Sequence, residues 1–209
     1  MNLKGWIVLL ALLSCSAHSE LISTGVGMVK GRALTSREVQ MTQLLDEALY
    51  QKNPNLKLLA IDSKAFHQAI QNVLLENAVA LEAQSFNIIQ VSAEELRDSS
   101  QRALKLLASS KAWLALEASK GELEIELRRK LEAKKFINFR AQSSVLPVSD
   151  GEAQRYYNEN QAKFDKLPFE NFKEDIKSYL SRTQVERRLK DWYDVLLNKY
   201  QVKNLLAEM

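Results

Sequence analysis

Few residues in this chain have the types and spacing that catalysis requires. Beyond residue 20 a single histidine remains, His67, next to Phe66. A lone imidazole with no thiol near it in sequence reads as a structural or surface residue rather than an acid–base catalyst. Cys15 is the only cysteine. Zinc needs several Cys, His or carboxylate ligands at short spacing, so no metal site is expected. There is no G-x-S-x-G elbow, phosphate-cradling glycine loop or dinucleotide fingerprint, so neither a nucleotide nor another cofactor is expected.

Carboxylates do cluster, as Glu94-Glu95 and as the alternating Glu122, Glu124 and Glu126. On a helix, alternate residues point in different directions and cannot converge on one reacting bond. With Arg128, Arg129 and Lys130 close behind, they read as a solvated face bearing the i,i+4 pairs Glu124–Arg128 and Glu126–Lys130. The aromatic residues Phe136, Phe139, Tyr156, Tyr157 and Phe164 have two readings, as core or as a surface for extended apolar peptides. Rings offer contact area without demanding one sequence. On the second reading Phe136, Phe139, Tyr156 and Tyr157 are the candidate peptide-binding residues. No catalytic residue is expected.

The elements that must carry these residues begin after an export signal. Lys4 supplies a positive start, residues 5–13 form an uncharged apolar run, and Ala17 and Ser19 are placed for cleavage between Ser19 and Glu20. The run is less than half of the roughly 20 residues that a spanning helix needs. Leu12-Leu13-Ser14-Cys15 loosely resembles a lipobox, so lipidation at Cys15 is the alternative, and the only route by which membrane contact is expected. Either processing leaves a chain of about 190 residues without a disulfide, large enough to bury a core by packing alone. The expected location is the periplasm, or a lipid anchor in the envelope under the Cys15 alternative.

Removing residues 1–19 leaves 28 basic and 26 acidic residues, without the clustered basic face of a nucleic-acid binder. Only 6 Gly and 3 Pro accompany 46% hydrophobic residues, a balance that favours long helices over many short strands. Four capping boxes punctuate the chain: Thr35/Glu38, Ser92/Glu95, Ser119/Glu122 and Ser149/Glu152. In each, the hydroxyl accepts from a first-turn N–H and the Glu reaches back to the N–H of the cap. Helices are predicted over residues 36–52, from a cap at Asp62 or Ser63 to 86, and over 94–108, 121–141, 151–161 and 169–200, with a brief segment at 113–118. Residues 142–150 read as a hinge between an N-terminal helical part, 20–141, and a C-terminal one, 151–209. The last helix would be about 48 Å long. Its stripe runs through Phe169, Phe172, Ile176, Leu180, Val185, Leu189, Trp192 and Leu196, and the five-residue step after Leu180 predicts a bend or a change of packing partner. Residues 21–29, ending at a Lys30-Gly31 turn, look extended, and 202–206 is short and ambiguous. The fold class is therefore mainly α with a minor β pairing.

The order of segments resembles the chaperone module of the SurA family, whose fold is related to those of PpiD and trigger factor. Met28-Val29-Lys30-Gly31 leading into Thr35-Ser36-Arg37-Glu38-Val39 is similar to the family's opening strand, turn and capped helix. Val73-Leu74-Leu75-Glu76-Asn77-Ala78, followed by Val91-Ser92-Ala93-Glu94-Glu95-Leu96, looks like its long helix and the next capped one. Val148-Ser149-Asp150-Gly151-Glu152, running on to Tyr156-Tyr157-Asn158, resembles the lead into the family's parvulin-type isomerase. Pro168-Phe169-Glu170-Asn171-Phe172 resembles its return helix. Only residues 161–167 intervene here, too few for an isomerase domain. The resemblance implies a helical cradle in which the last helix packs back on the N-terminal helices. It also implies ATP-independent holding of unfolded or outer-membrane-bound polypeptides, without prolyl isomerase activity. A helical scaffold or adaptor, or a lipoprotein accessory factor of an envelope complex, is the alternative.

Overall fold

The computed structural model describes residues 23–207 except 88 and 166. Lys4, Cys15, Ala17, Ser19 and Glu20, and with them the signal and lipidation expectations, lie outside the described residues. The first elements are two antiparallel strands, β1 (Gly25–Val29) and β2 (Arg32–Thr35). Lys30 and Gly31, which join them, both have positive φ, 48° and 78°. That is the twist a two-residue hairpin needs, and glycine takes the second position without strain. Thr35 then opens α1 (Ser36–Tyr50) with a reciprocal capping box.

Long helices follow because their caps and apolar spacing agree. Ser63 caps α2 (Lys64–Phe86), which Asn87 ends in the left-handed conformation, a residue type that tolerates it. Ser92 caps α3 (Ala93–Leu107), Ser110 caps the short α4 (Lys111–Ala115), and Ser119 opens α5 (Lys120–Ser143) with a full box. Ser149 does the same for α6 (Asp150–Glu159). The Ser92 box is only half formed, because the Glu95 carboxylate accepts from Lys135 Nζ of α5 instead of reaching back to its cap. A single 3-10 turn, Phe169–Asn171, precedes α7 (Lys173–Lys199). The predicted start at residue 169 is thus four residues early.

The tail of the chain returns to its beginning. Gln201 takes φ 49° and the Val202 N–H bonds back to the Leu197 carbonyl, a reversal that unsatisfied carbonyls at a helix end favour. β3 (Lys203–Asn204) then pairs antiparallel with β1, giving the sheet order β2-β1-β3. A Cβ at Gly27 would lie 2.8 Å from Leu74 Cδ2 and 3.0 Å from the Lys203 carbonyl oxygen. Only glycine lets α2 and β3 both close on β1.

Two apolar cores result. One lies between the sheet, α2 and the last turns of α5 and α7, and contains Val26, Leu34, Phe66, Ile70, Phe136 and Leu196. The other lies among α1, α3, α4 and the first half of α5, around Leu44, Leu107, Trp113 and Leu127. The described residues form a mainly helical fold with a small antiparallel sheet, as the capping pattern and composition predict.

Candidate peptide-binding surface

The four aromatic candidates do not share one surface. Phe136 is 1% exposed and sits at the edge of the first core, with ring centroids 5.6 Å from Phe86, 5.7 Å from Trp192 and 6.0 Å from Phe139. It is core, and a client could not reach it. Phe86 and Phe139 lean on it from outside and remain exposed.

Tyr156 and Tyr157, on α6, belong to a separate aromatic nest at the other end of α7. Tyr157 stacks 5.0 Å from Phe164 and 5.6 Å from Phe169, Phe164 lies 5.0 Å from Phe172, and Tyr156 lies 5.4 Å from Tyr179. The Tyr157 hydroxyl donates to the Leu167 carbonyl. These rings close the short connection between α6 and α7 into a knot held by only two fully buried apolar residues, Ala153 and Ile176. Phe169 and Phe172 turn into this nest, so the chain tightens to a 3-10 turn before α7 begins.

Between the two ends, α7 runs beside the segment joining α5 to α6. Arg188 Nη1 donates to the Ser144 carbonyl at 3.2 Å. Asp150 pairs with Lys173 at 2.5 Å and with Lys177, and these two ammonium groups hold its carboxyl below the usual range. Residues 177 and 188 are about 16 Å apart along a helix. The seven residues from 144 to 150 span at most about 21 Å. The segment therefore runs antiparallel to α7, a strap fastened at both ends. Beneath it lies a groove of about 620 Å³ lined by Val145, Leu146, Val148, Arg182 and Val185 among others. Val145 is 55% and Leu146 45% exposed.

A second hollow, about 640 Å³, lies between the hairpin, α2 and α5 and is floored by Val29, Ala80, Leu81 and Ile125. Its arginines are already engaged. Arg129 donates to Asn77 Oδ1 at 2.5 Å and pairs with Glu126, and Arg32 pairs with Glu38.

The expected solvated face on α5 is overturned here. Glu126 and Lys130 are both buried. Glu126 pairs with Arg129 and accepts from Thr42 at 3.1 Å, while Lys130 Nζ lies 2.5 Å from Glu76 and 2.8 Å from Asp46. The pair Glu126–Lys130 does not form, and the paired cation for Glu124 is Lys120. The cause is the packing of α1 and α2 on this face of α5. Burial raises the Glu76 and Glu126 carboxyls above their ordinary value. Burial works against the Lys130 charge too, but Glu76 and Asp46 outweigh it and raise its pKa. Asn77 is the legible signal of this layer: it falls inside the apolar stripe Ile70, Val73, Leu74, Ala78, Leu81. Glu126 and Lys130 likewise fall in phase with Leu123, Leu127 and Leu131.

His67 lies half-buried on α2. Among the described residues no group of three or more His, Cys, Asp or Glu is arranged to hold a metal ion, and no helix is long and apolar enough to cross a membrane. No protein-family model, curated protein or solved structure matches the chain.

Proposed function

We propose that the chain is an exported, periplasmic, ATP-independent chaperone that holds unfolded or outer-membrane-bound polypeptides without isomerising their prolyl bonds. The observation that carries this reading is the strapped groove on α7, with the apolar side chains of Val145 and Leu146 left half in water. Covering what remains exposed of Val145, Leu146 and Val185 contributes about 1 kcal/mol for each side chain. The ordering of a floppy client offsets much of that, so contacts form and release without an energy source. The connection between α6 and α7 is filled by the aromatic nest, which supports a chaperone without an inserted isomerase.

The test is light scattering of a thermally unfolding client with increasing amounts of the protein and no ATP. Suppression for several unrelated clients at a few molar equivalents is expected. Failure on all of them, with one envelope protein captured at unit stoichiometry, would instead make the chain a scaffold. Proline-limited refolding should run no faster in its presence than with an inert protein.

A further inference from the structure

The strap and the helix beneath it differ in chemistry, and that difference specifies a ligand. From residue 177 to residue 190, α7 carries five basic residues and one acidic one. Lys177 is committed to Asp150 and Arg188 to the Ser144 carbonyl. Arg182 lines the groove beside Ser178, Ser181 and Val185 and makes no ion pair among the described residues. Opposite it stand Val145, Leu146 and Val148. The N–H groups of Leu146 and Val148 make no hydrogen bond among the described residues, so the strap also offers main-chain groups of the kind an added strand pairs with. A chain in that conformation presents alternate side chains to opposite faces.

We propose that the groove takes an extended peptide segment, apolar on the face turned toward Val145, Leu146 and Val185 and carrying an acidic side chain opposite Arg182. This deepens the chaperone reading, on which it rests, by naming the class of segment held. Charge argues against the same face of a second copy, since two stretches this basic repel one another. Among the described residues no aromatic ring lines the groove, so they supply no stacking platform of the kind that single-stranded nucleic acid uses.

The probe is a dye-labelled nine-residue peptide of alternating valine and threonine with one central aspartate, compared by fluorescence anisotropy with a twin bearing lysine there. The purified chain should bind the aspartate peptide about five-fold more tightly than the lysine one, a preference that fades with salt. Arg182→Glu should invert the order. Leu146→Ser should weaken both peptides about three-fold or more while leaving the circular dichroism spectrum and unfolding midpoint unchanged, because Leu146 is exposed and outside both cores. Equal binding of the twins to the parent and to Arg182→Glu would overturn the proposal. So would a parent dimer that Leu146→Ser dissociates, because the occupant would then be a second copy. If both variants suppress client aggregation as well as the parent does, the groove is not the holding site and the chaperone reading survives. If the parent binds peptide selectively but suppresses nothing, the groove stands and the chaperone reading falls.

Discussion

Lys130 stands among the leucines of α5 with its ammonium between Glu76 and Asp46, and Glu76 Oε1 finds no partner among the described residues. Such a pair repays its desolvation only while both members are present. Lys130→Met should therefore cost about 3–5 kcal/mol, because the Glu76 carboxylate stays buried without a cation. Adding Glu76→Leu should recover at least about 2 kcal/mol of that loss, since a matched apolar pair is often neutral; urea unfolding of the three proteins measures both. Glu122 behaves differently. The bonds from Arg37, then those from its Ser119 cap, hold its pKa at about 2 against an ordinary 4.5. A depressed carboxyl stabilises the fold fully above its unfolded value and loses that contribution as pH falls through the folded one. Glu122→Gln keeps a capping amide but loses the charge. Its midpoint should lie below the parent's at pH 7, and the gap should close between about pH 4.5 and 2. The box at Ser119 was readable from spacing alone. Arg37 was not, because the contact joins α1 to α5 across 85 residues, and pairing at that separation leaves no local pattern.

Among the elements, α7 shows how far periodicity reaches. Its apolar stripe is real, but between Ile176 and Leu196 no residue is fully buried. The helix packs on α6 at its start, and on α5 and α2 toward its end. The five-residue step after Leu180 accordingly marks a change of partner within an unbroken helix. A stripe reports which face is apolar and says nothing about what covers it, so the sequence could not separate anchored turns from bare ones. The energetic consequence is uneven along the helix. Leu196→Ala, in the first core, should cost about 3 kcal/mol. Leu180→Ala, half-buried in α7, should cost less than about 1 kcal/mol. Chemical denaturation of the two variants tests this; equal losses would mean that the middle of α7 is as tightly packed as its end. The far end is further fixed by Glu82, which accepts from Lys199 at 2.5 Å and from the Tyr200 hydroxyl at 2.6 Å. Burial pushes that carboxyl up, but these two bonds outweigh it and hold it below its ordinary value.

At the scale of the whole molecule, the first and last described strands share one sheet, and Leu196 and Tyr200 complete a core begun by Val26 and Phe66. Cutting the chain after Ser149 removes β3, Leu196 and Tyr200 together and uncovers Leu74 and Phe136. The shortened protein should lose its cooperative transition in denaturant followed by circular dichroism; a sharp transition at the parent's midpoint would show that the N-terminal part is stable alone. The first strand and the Lys30-Gly31 turn were legible from their residues, but the second strand, Arg32–Thr35, was not. The pairing of β3 was not, because two residues carry no periodicity and only the reversal at Gln201 aims them at β1. That pairing also sets a clock. Gly27 meets Asn204, so β1 leaves the ribosome long before its second neighbour exists. At roughly 5–20 residues per second, the delay is on the order of 10 to 35 s. Throughout it, the free edge of β1 and the part of α2 that meets α7 and β3 lack their native cover. The newborn chain thus passes through an interval in which it is itself the kind of polypeptide that a holding protein would recognise.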